Sequence, residues 1–139
     1  MKKGGKSEKR DLGLYGEKIA EDYLRRRNYI ILERNYRSRF GEVDLIALDG
    51  DILCFTEVKT RRSDLFGAPQ EAVDLRKQVR LADTAKDYIT RSKNWERKMR
   101  FDVIAITLDS NHQPSMGLFS RLFKKSPQVE HIQNAFEIE

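Results

Sequence analysis

The sequence predicts an α/β fold: a helix, a three-strand antiparallel meander, a second helix, and a strand returned parallel to the third. Three observations carry this. Residues 41–48 and 52–61 are apolar, β-branched runs joined at Asp49-Gly50-Asp51, and Gly supplies the positive φ that a tight hairpin needs. Helical apolar stripes flank the meander on both sides. Residues 101–108 (Phe-Asp-Val-Ile-Ala-Ile-Thr-Leu) form a near-continuous apolar run, as in a strand covered on both faces.

Taken in order, residues 1–10 are rich in Lys and Gly without periodicity and read as a disordered basic arm. Residues 11–139 then form a single domain, within the usual size of ~100–200 residues. Asp11 is a good N-cap. Leu12, Tyr15, Gly16, Ile19, Ala20, Tyr23 and Leu24 follow on one stripe, giving a helix over about 12–27. Arg25, Arg26 and Arg27 close it, where cations suit the macrodipole. Residues 29–36 read as strand 1, and a basic loop with Arg37, Arg39 and Gly41 leads into strand 2. Short connections make strands 1, 2 and 3 antiparallel neighbours.

After strand 3, residues 61–69 carry Arg61 and Arg62 in a loop that reads equally as a phosphate contact or as solvated chain. Pro69 fits a helix start. Ala72, Leu75, Val79, Ala82, Ala85 and Ile89 give helix 2 its apolar face to about Arg91. Arg76, Lys77 and Arg80 lie off that stripe, as a phosphate-binding face or an ordinary solvated one. Trp95, in the basic connection 93–100, either stacks on bases or covers a helix end. A right-handed crossover then sets strand 4 parallel to strand 3. Residues 115–127 place Met116, Leu118, Phe119, Leu122 and Phe123 beside basic residues, as a hairpin extension or a partner-contacting element. Residues 128–132 read as a last strand and 133–139 as a tail anchored by Phe136.

Composition narrows the function classes. The net charge of +5 with 35% charged residues suits a polyanionic partner. The single cysteine, Cys54, excludes an internal disulfide, and Cys/His spacing for zinc is absent. No run of ~18 apolar residues marks a membrane span, and the basic start lacks the apolar core of a secretory signal. A cytoplasmic location is expected. Neither G-x-x-x-x-G-K-[ST] nor G-x-G-x-x-G occurs, nor a Ser nucleophile elbow. His112 and His131 fall in a turn and a late strand, away from the acidic cluster, which argues against His-based chemistry.

That cluster interrupts the hairpin. Asp44, Glu57 and Lys59 are charged residues inside strands that otherwise look buried, and a buried charge is costly without a partner or a metal. Glu57 and Lys59 are two apart and point to one face; the hairpin brings Asp44 alongside. Two carboxylates and an ammonium on one sheet face suit Mg²⁺ or Mn²⁺ held through oxygen beside a phosphate, with charge stabilised at phosphorus and hydroxide generated from water. The plainer alternative is a cross-strand ion pair with Asp44 capping the strand end. Glu17 lies beside the helix-1 stripe. On spacing alone it is a solvated acid near a helix start, although it could reach over the helix edge toward the sheet.

The order of elements and the residues Gly16-Glu17, Arg34-Asn35-Tyr36-Arg37, Gly41-Glu42-Val43-Asp44-Leu45-Ile46, Phe55-Thr56-Glu57-Val58-Lys59-Thr60-Arg61, Phe66-Gly67, Lys77, Arg100-Phe101-Asp102-Val103 and 131–136 resemble the YraN family of predicted endonucleases. That family is related to the archaeal Holliday-junction resolvases of the restriction-endonuclease-like superfamily. The match spans about 11–136. Val43 stands where the superfamily's motif has Pro, and residues 115–127 have no counterpart. The resemblance implies an α-β-β-β-α-β core and a metal-dependent phosphodiesterase site. Asp44 and Glu57 would be metal ligands, Lys59 the catalytic lysine, and Glu17 the additional acid that orients water at the metal. The expected function is a Mg²⁺- or Mn²⁺-dependent endonuclease of DNA, with branched or junction DNA as a candidate substrate. Arg37, Arg39, Arg61, Arg62, Arg76, Lys77 and Arg80 would steer the backbone, and junction cutting would call for a homodimer. The alternative is a nucleic-acid-binding or scaffold protein that keeps the fold without turnover.

Overall fold

A computed structural model describes residues 4–62, 73–108 and 127–137, with side chains from Arg10 onward. The elements are α1 (Gly4–Arg26), β1 (Ile30–Ser38), β2 (Gly41–Asp49), β3 (Ile52–Arg61), α2 (Leu75–Ser92), β4 (Met99–Thr107) and β5 (Gln128–Phe136). The strands form one five-stranded sheet in the order β1-β2-β3-β4-β5. β1, β2 and β3 are the antiparallel meander, β4 runs parallel to β3, and β5 is antiparallel to β4. This is the mixed-sheet α/β class that the sequence predicts, with a fifth strand on the far edge of a restriction-endonuclease-like core.

The local causes match the reading in the main. Gly50 turns the β2–β3 hairpin at φ 58, so Leu48 pairs with Leu53 and Asp49 with Ile52. β4 is buried from Phe101 to Ile106, and apart from Asp102 that stretch is apolar. Its alternate side chains feed two cores. Phe101 and Val103 join Phe55, Leu81, Ala85 and Tyr88 under α2. Ile104 and Ile106 join Ala20, Leu24, Leu45 and Val58 under α1. The helices therefore cover opposite faces of one sheet.

Several boundaries differ. α1 begins at Gly4 rather than near Leu12, so residues 4–10 are helical and Asp11 lies inside the helix instead of capping it. Lys, Glu and Arg are good helix formers, and a helix already nucleated by a packed stripe propagates cheaply. α2 begins at Leu75, because Asp74 caps it by accepting a hydrogen bond from the Lys77 amide at 2.9 Å. Pro69 lies outside the described residues, as do His112 and all of 115–126. β5 continues past residue 132 to Phe136, correcting the expected tail over 133–136. Asn134, at φ 52, accommodates an irregularity there, and the Phe136 ring stacks on Phe101 at 4.9 Å. Trp95 is 63% exposed.

At the sheet end where β4 begins, Arg100 forms the hub of a polar network. Its Nε donates to Asp102 at 3.0 Å, its Nη1 to Asp49 at 3.0 Å and its Nη2 to the Tyr29 hydroxyl at 2.7 Å. His131 Nε2 lies 2.9 Å from Asp102, and the Asn134 amide donates to Asp102 at 2.9 Å. This cluster ties β2, β4 and β5 to the turn before β1. Among the described residues, no helix is long and apolar enough to cross a membrane.

Candidate functional site

The opposite end of the sheet is where β2 and β3 part. Their ladder runs from Asp49–Ile52 to Leu45–Thr56 and stops. One residue further along β2, the Asp44 side chain takes over: the Val58 amide donates to its Oδ2 at 2.8 Å. Asp44 and Glu57 are both buried at this rift.

α1 reaches the rift because of Gly16. A Cβ there would lie 1.7 Å from Thr60 Oγ1, so only glycine lets the helix settle this closely on β3. The next residue, Glu17, is thereby carried to the sheet end, beside Asn35 and Asp44. Glu17, Lys18, Glu21, Arg34, Asn35 and Asp44 surround a cavity of about 340 Å³. Burial raises the Glu17 pKa and outweighs the influence of Asn35 and Asp44. Asp44 is pushed up to about 7, first by burial and then by the Glu57 charge, against the pull of the Val58 amide.

Glu57 and Lys59 alternate with Phe55 along β3 and so stand on the α2 side. Lys77 Nζ lies 2.6 Å from Glu57 Oε1, and Lys59 Nζ lies 3.5 Å from the same oxygen. The two ammonium groups therefore share one carboxylate oxygen. Lys59 is lowered, first by burial and then by Lys77. Burial works against the Lys77 ammonium, but the Glu57 carboxylate outweighs it and raises the pKa.

The four expected site residues lie at one sheet end but do not share one face as expected: Asp44 lines the cavity under α1, whereas Glu57 and Lys59 stand on the α2 side, because the strands part between them. Glu17 and Asp44 form one group, and Glu57 with Lys59 forms the other, near enough for the Glu57 charge to act on Asp44. Among the described residues, no group of three or more His, Cys, Asp or Glu is gathered tightly enough to hold a metal ion. The donor chemistry nevertheless suits one. Two contacting carboxyls in a desolvated rift need a proton or a cation between them, and an all-oxygen donor set matches Mg²⁺ or Mn²⁺.

Sequence reasoning placed Lys77 only among residues steering the backbone. The structure seats it on Glu57. The available signal was Asp74: as N-cap it puts Lys77 in the first helical turn, where a long side chain points back toward the helix start. Asn35 was also missed as a site neighbour.

The remaining basic residues lie at this same end. Arg37 donates to Glu42 at 3.0 Å, the Arg39 guanidinium sits 4.8 Å over the Phe40 ring, and Arg61 bonds Thr107 at 3.4 Å. Arg62 follows the end of β3. Arg76, Lys77 and Arg80 share a cavity of about 400 Å³ with Gly41 and Glu42. The basic loop and the start of α2 therefore flank the rift together.

Fold and site define a restriction-endonuclease-like α/β protein with acids and lysines gathered where two central strands diverge. The chain belongs to Uncharacterised protein family UPF0102, whose model matches residues 16–106; this is the YraN family that the motifs resemble. It is 43% identical over 129 residues to a UPF0102 protein of Chlorobium chlorochromatii, covering 93% of each chain. It is 44% identical over 127 residues to one of Geobacter sulfurreducens, covering 91% of this chain and 89% of that one. With a UPF0102 protein of Dictyoglomus thermophilum the identity is 48% over 102 residues, or 73% of this chain and 86% of the relative.

Proposed function

We propose that this chain is a divalent-cation-dependent endonuclease that hydrolyses DNA phosphodiester bonds in the cytoplasm. The observation that carries the reading is the rift itself: Asp44, in reach of Glu17, adjoins Glu57 with its two lysines, at the end of the sheet where the basic residues collect. Asp44 and Glu57 would hold Mg²⁺ or Mn²⁺. The cation, when bound, supplies electrophilic stabilisation of charge at phosphorus and makes water more acidic.

The chain's own groups do the rest. Lys59 donates a hydrogen bond to a non-bridging phosphoryl oxygen and matches the charge that builds on it. Glu17, its pKa raised by burial, orients the attacking water and accepts its proton. The water oxygen forms the new bond to phosphorus as the ester oxygen leaves and takes up a proton. Arg37, Arg39, Arg61, Arg62, Arg76 and Arg80 hold flanking phosphates, which carry no sequence information by themselves. Branched or junction DNA is the candidate substrate, and cutting a junction symmetrically calls for two copies of the site, hence a homodimer.

One observation favours a rival. Lys77 and Lys59 already neutralise Glu57, as in a nucleic-acid-binding protein that keeps the fold without turnover. Labelled linear, flapped and four-way DNAs incubated with Mn²⁺ separate the two. Cleavage by wild type and its loss in Lys59→Ala supports the nuclease. Binding without cleavage across the whole panel supports the rival.

A further inference from the structure

We infer that Asn35 is a positioning residue of this site: its carboxamide holds the Glu17 carboxylate against Asp44. The inference rests on the reading of Glu17 and Asp44 as part of a cation-binding site.

The backbone shows the feature first. Asn35 lies within β1, yet its φ is 49. Left-handed backbone is uncommon for a residue with a Cβ, and Asn tolerates it best. The register fixes its place: Arg34 pairs with Leu45 and Tyr36 with Val43, so Asn35 stands opposite Asp44.

The conformation changes where the side chains go. In a regular strand, residues 34 and 36 share one face and residue 35 takes the other. Here Arg34 ion-pairs with Glu21 on α1, while the Tyr36 hydroxyl donates to Asp87 on α2 at 2.5 Å and its ring packs on Tyr88. Arg34 and Tyr36 therefore serve opposite faces. Asn35 follows Arg34 toward α1, onto the wall of the cavity that Glu17 and Asp44 also line, close enough to favour the ionised Glu17 carboxylate. The left-handed residue thus turns two consecutive side chains to the α1 face at the rift.

Glycine would satisfy the backbone at least as well. Asn adds N–H donors that can brace an acid beside Asp44. A carboxylate so held keeps one orientation, which preorganises it toward whatever lies between it and Asp44.

Asn35→Gly separates the two roles, because it keeps the left-handed backbone and removes the carboxamide. By calorimetry with Mn²⁺, the variant should bind at least tenfold more weakly than wild type, with its melting temperature kept within a few degrees. In metal-free protein, Glu17→Ala should move the Asn35 side-chain amide resonances in a ¹⁵N NMR spectrum toward the free-amide position. Unchanged Mn²⁺ affinity in Asn35→Gly, or an Asn35 amide indifferent to Glu17→Ala, overturns the inference. Wild type that binds no Mn²⁺ overturns the cation-site reading instead, and the NMR arm still decides whether Asn35 braces Glu17.

Discussion

Lys77, from the first turn of α2, places its ammonium 2.6 Å from Oε1 of Glu57 on β3. An acid expected to grip a cation is thus already held by an internal one, with Lys59 beside it at 3.5 Å. If Mn²⁺ binds here, it competes with Lys77 for that oxygen. Lys77→Met should therefore tighten Mn²⁺ binding, by about fivefold if releasing this partly buried ion pair is worth ~1 kcal/mol. Calorimetry reads this directly. Weaker or unchanged binding would mean that Lys77 supports the cation site rather than occupying it.

Asp44 ties stability to pH. Its carboxyl is pushed up to about 7 by burial and by Glu57, whereas an unfolded aspartate titrates near ~3.9. The folded chain therefore binds the proton more tightly than the unfolded one, and stability falls as pH rises between those values. Asp44→Asn keeps an oxygen to accept from the Val58 amide and removes the charge. It should melt several degrees above wild type at pH 8, a gain on the order of 2 kcal/mol, and the gap should close near pH 4. Thermal melts across that range, without divalent cations, test it; a constant gap would place the effect outside Asp44 ionisation.

Gly16 makes a steric prediction. Gly16→Ala puts a Cβ 1.7 Å from Thr60 Oγ1, which must push α1 off β3 at a cost of about 2–3 kcal/mol. Adding Thr60→Ala removes Oγ1 but leaves the Thr60 Cβ at 2.9 Å, so it should restore only part of the loss. Denaturant melts of the single and double variants check this, and equal stability of wild type and Gly16→Ala would contradict the packing.

Asp102 carries the opposite pH dependence at the far end of the sheet. Burial works against its ionised form, but His131, Arg100 and the Asn134 amide outweigh burial and lower its pKa. Its stabilisation is complete above the unfolded value of ~3.9 and is lost as pH falls through the folded one. Asp102→Asn should cost about 3 kcal/mol at pH 7, since it leaves the buried Arg100 short of its counter-charge. The difference should shrink below pH ~4. Mn²⁺ affinity should stay the same in this variant, which separates a structural network from the rift.

The architecture was legible because its signals are local or strongly patterned. Asp49-Gly50 announced the hairpin, and the apolar run 101–108 announced a strand covered on both faces. What escaped was set by tertiary contact. The start of α1 has no stripe to mark it, because residues 4–10 (Gly-Gly-Lys-Ser-Glu-Lys-Arg) carry no large apolar side chain. The last strand looked like a tail after residue 132, since pairing with β4 and the Phe101–Phe136 stack lie across the sheet rather than along the chain. Asp44, Glu57 and Lys59 stood out as charges in apolar strands. Lys77 and Asn35 did not, because one is a common residue in a basic helix and the other is distinguished only by a dihedral angle.

The rift draws its groups from both sides of the sheet: Glu17 comes on one helix and Lys77 on the other, and the strands between them supply the rest. Neither helix alone can complete the set. A nascent or partly melted copy therefore leaves these acids and lysines scattered, and the rift exists only once the whole sheet and both helices have closed on it.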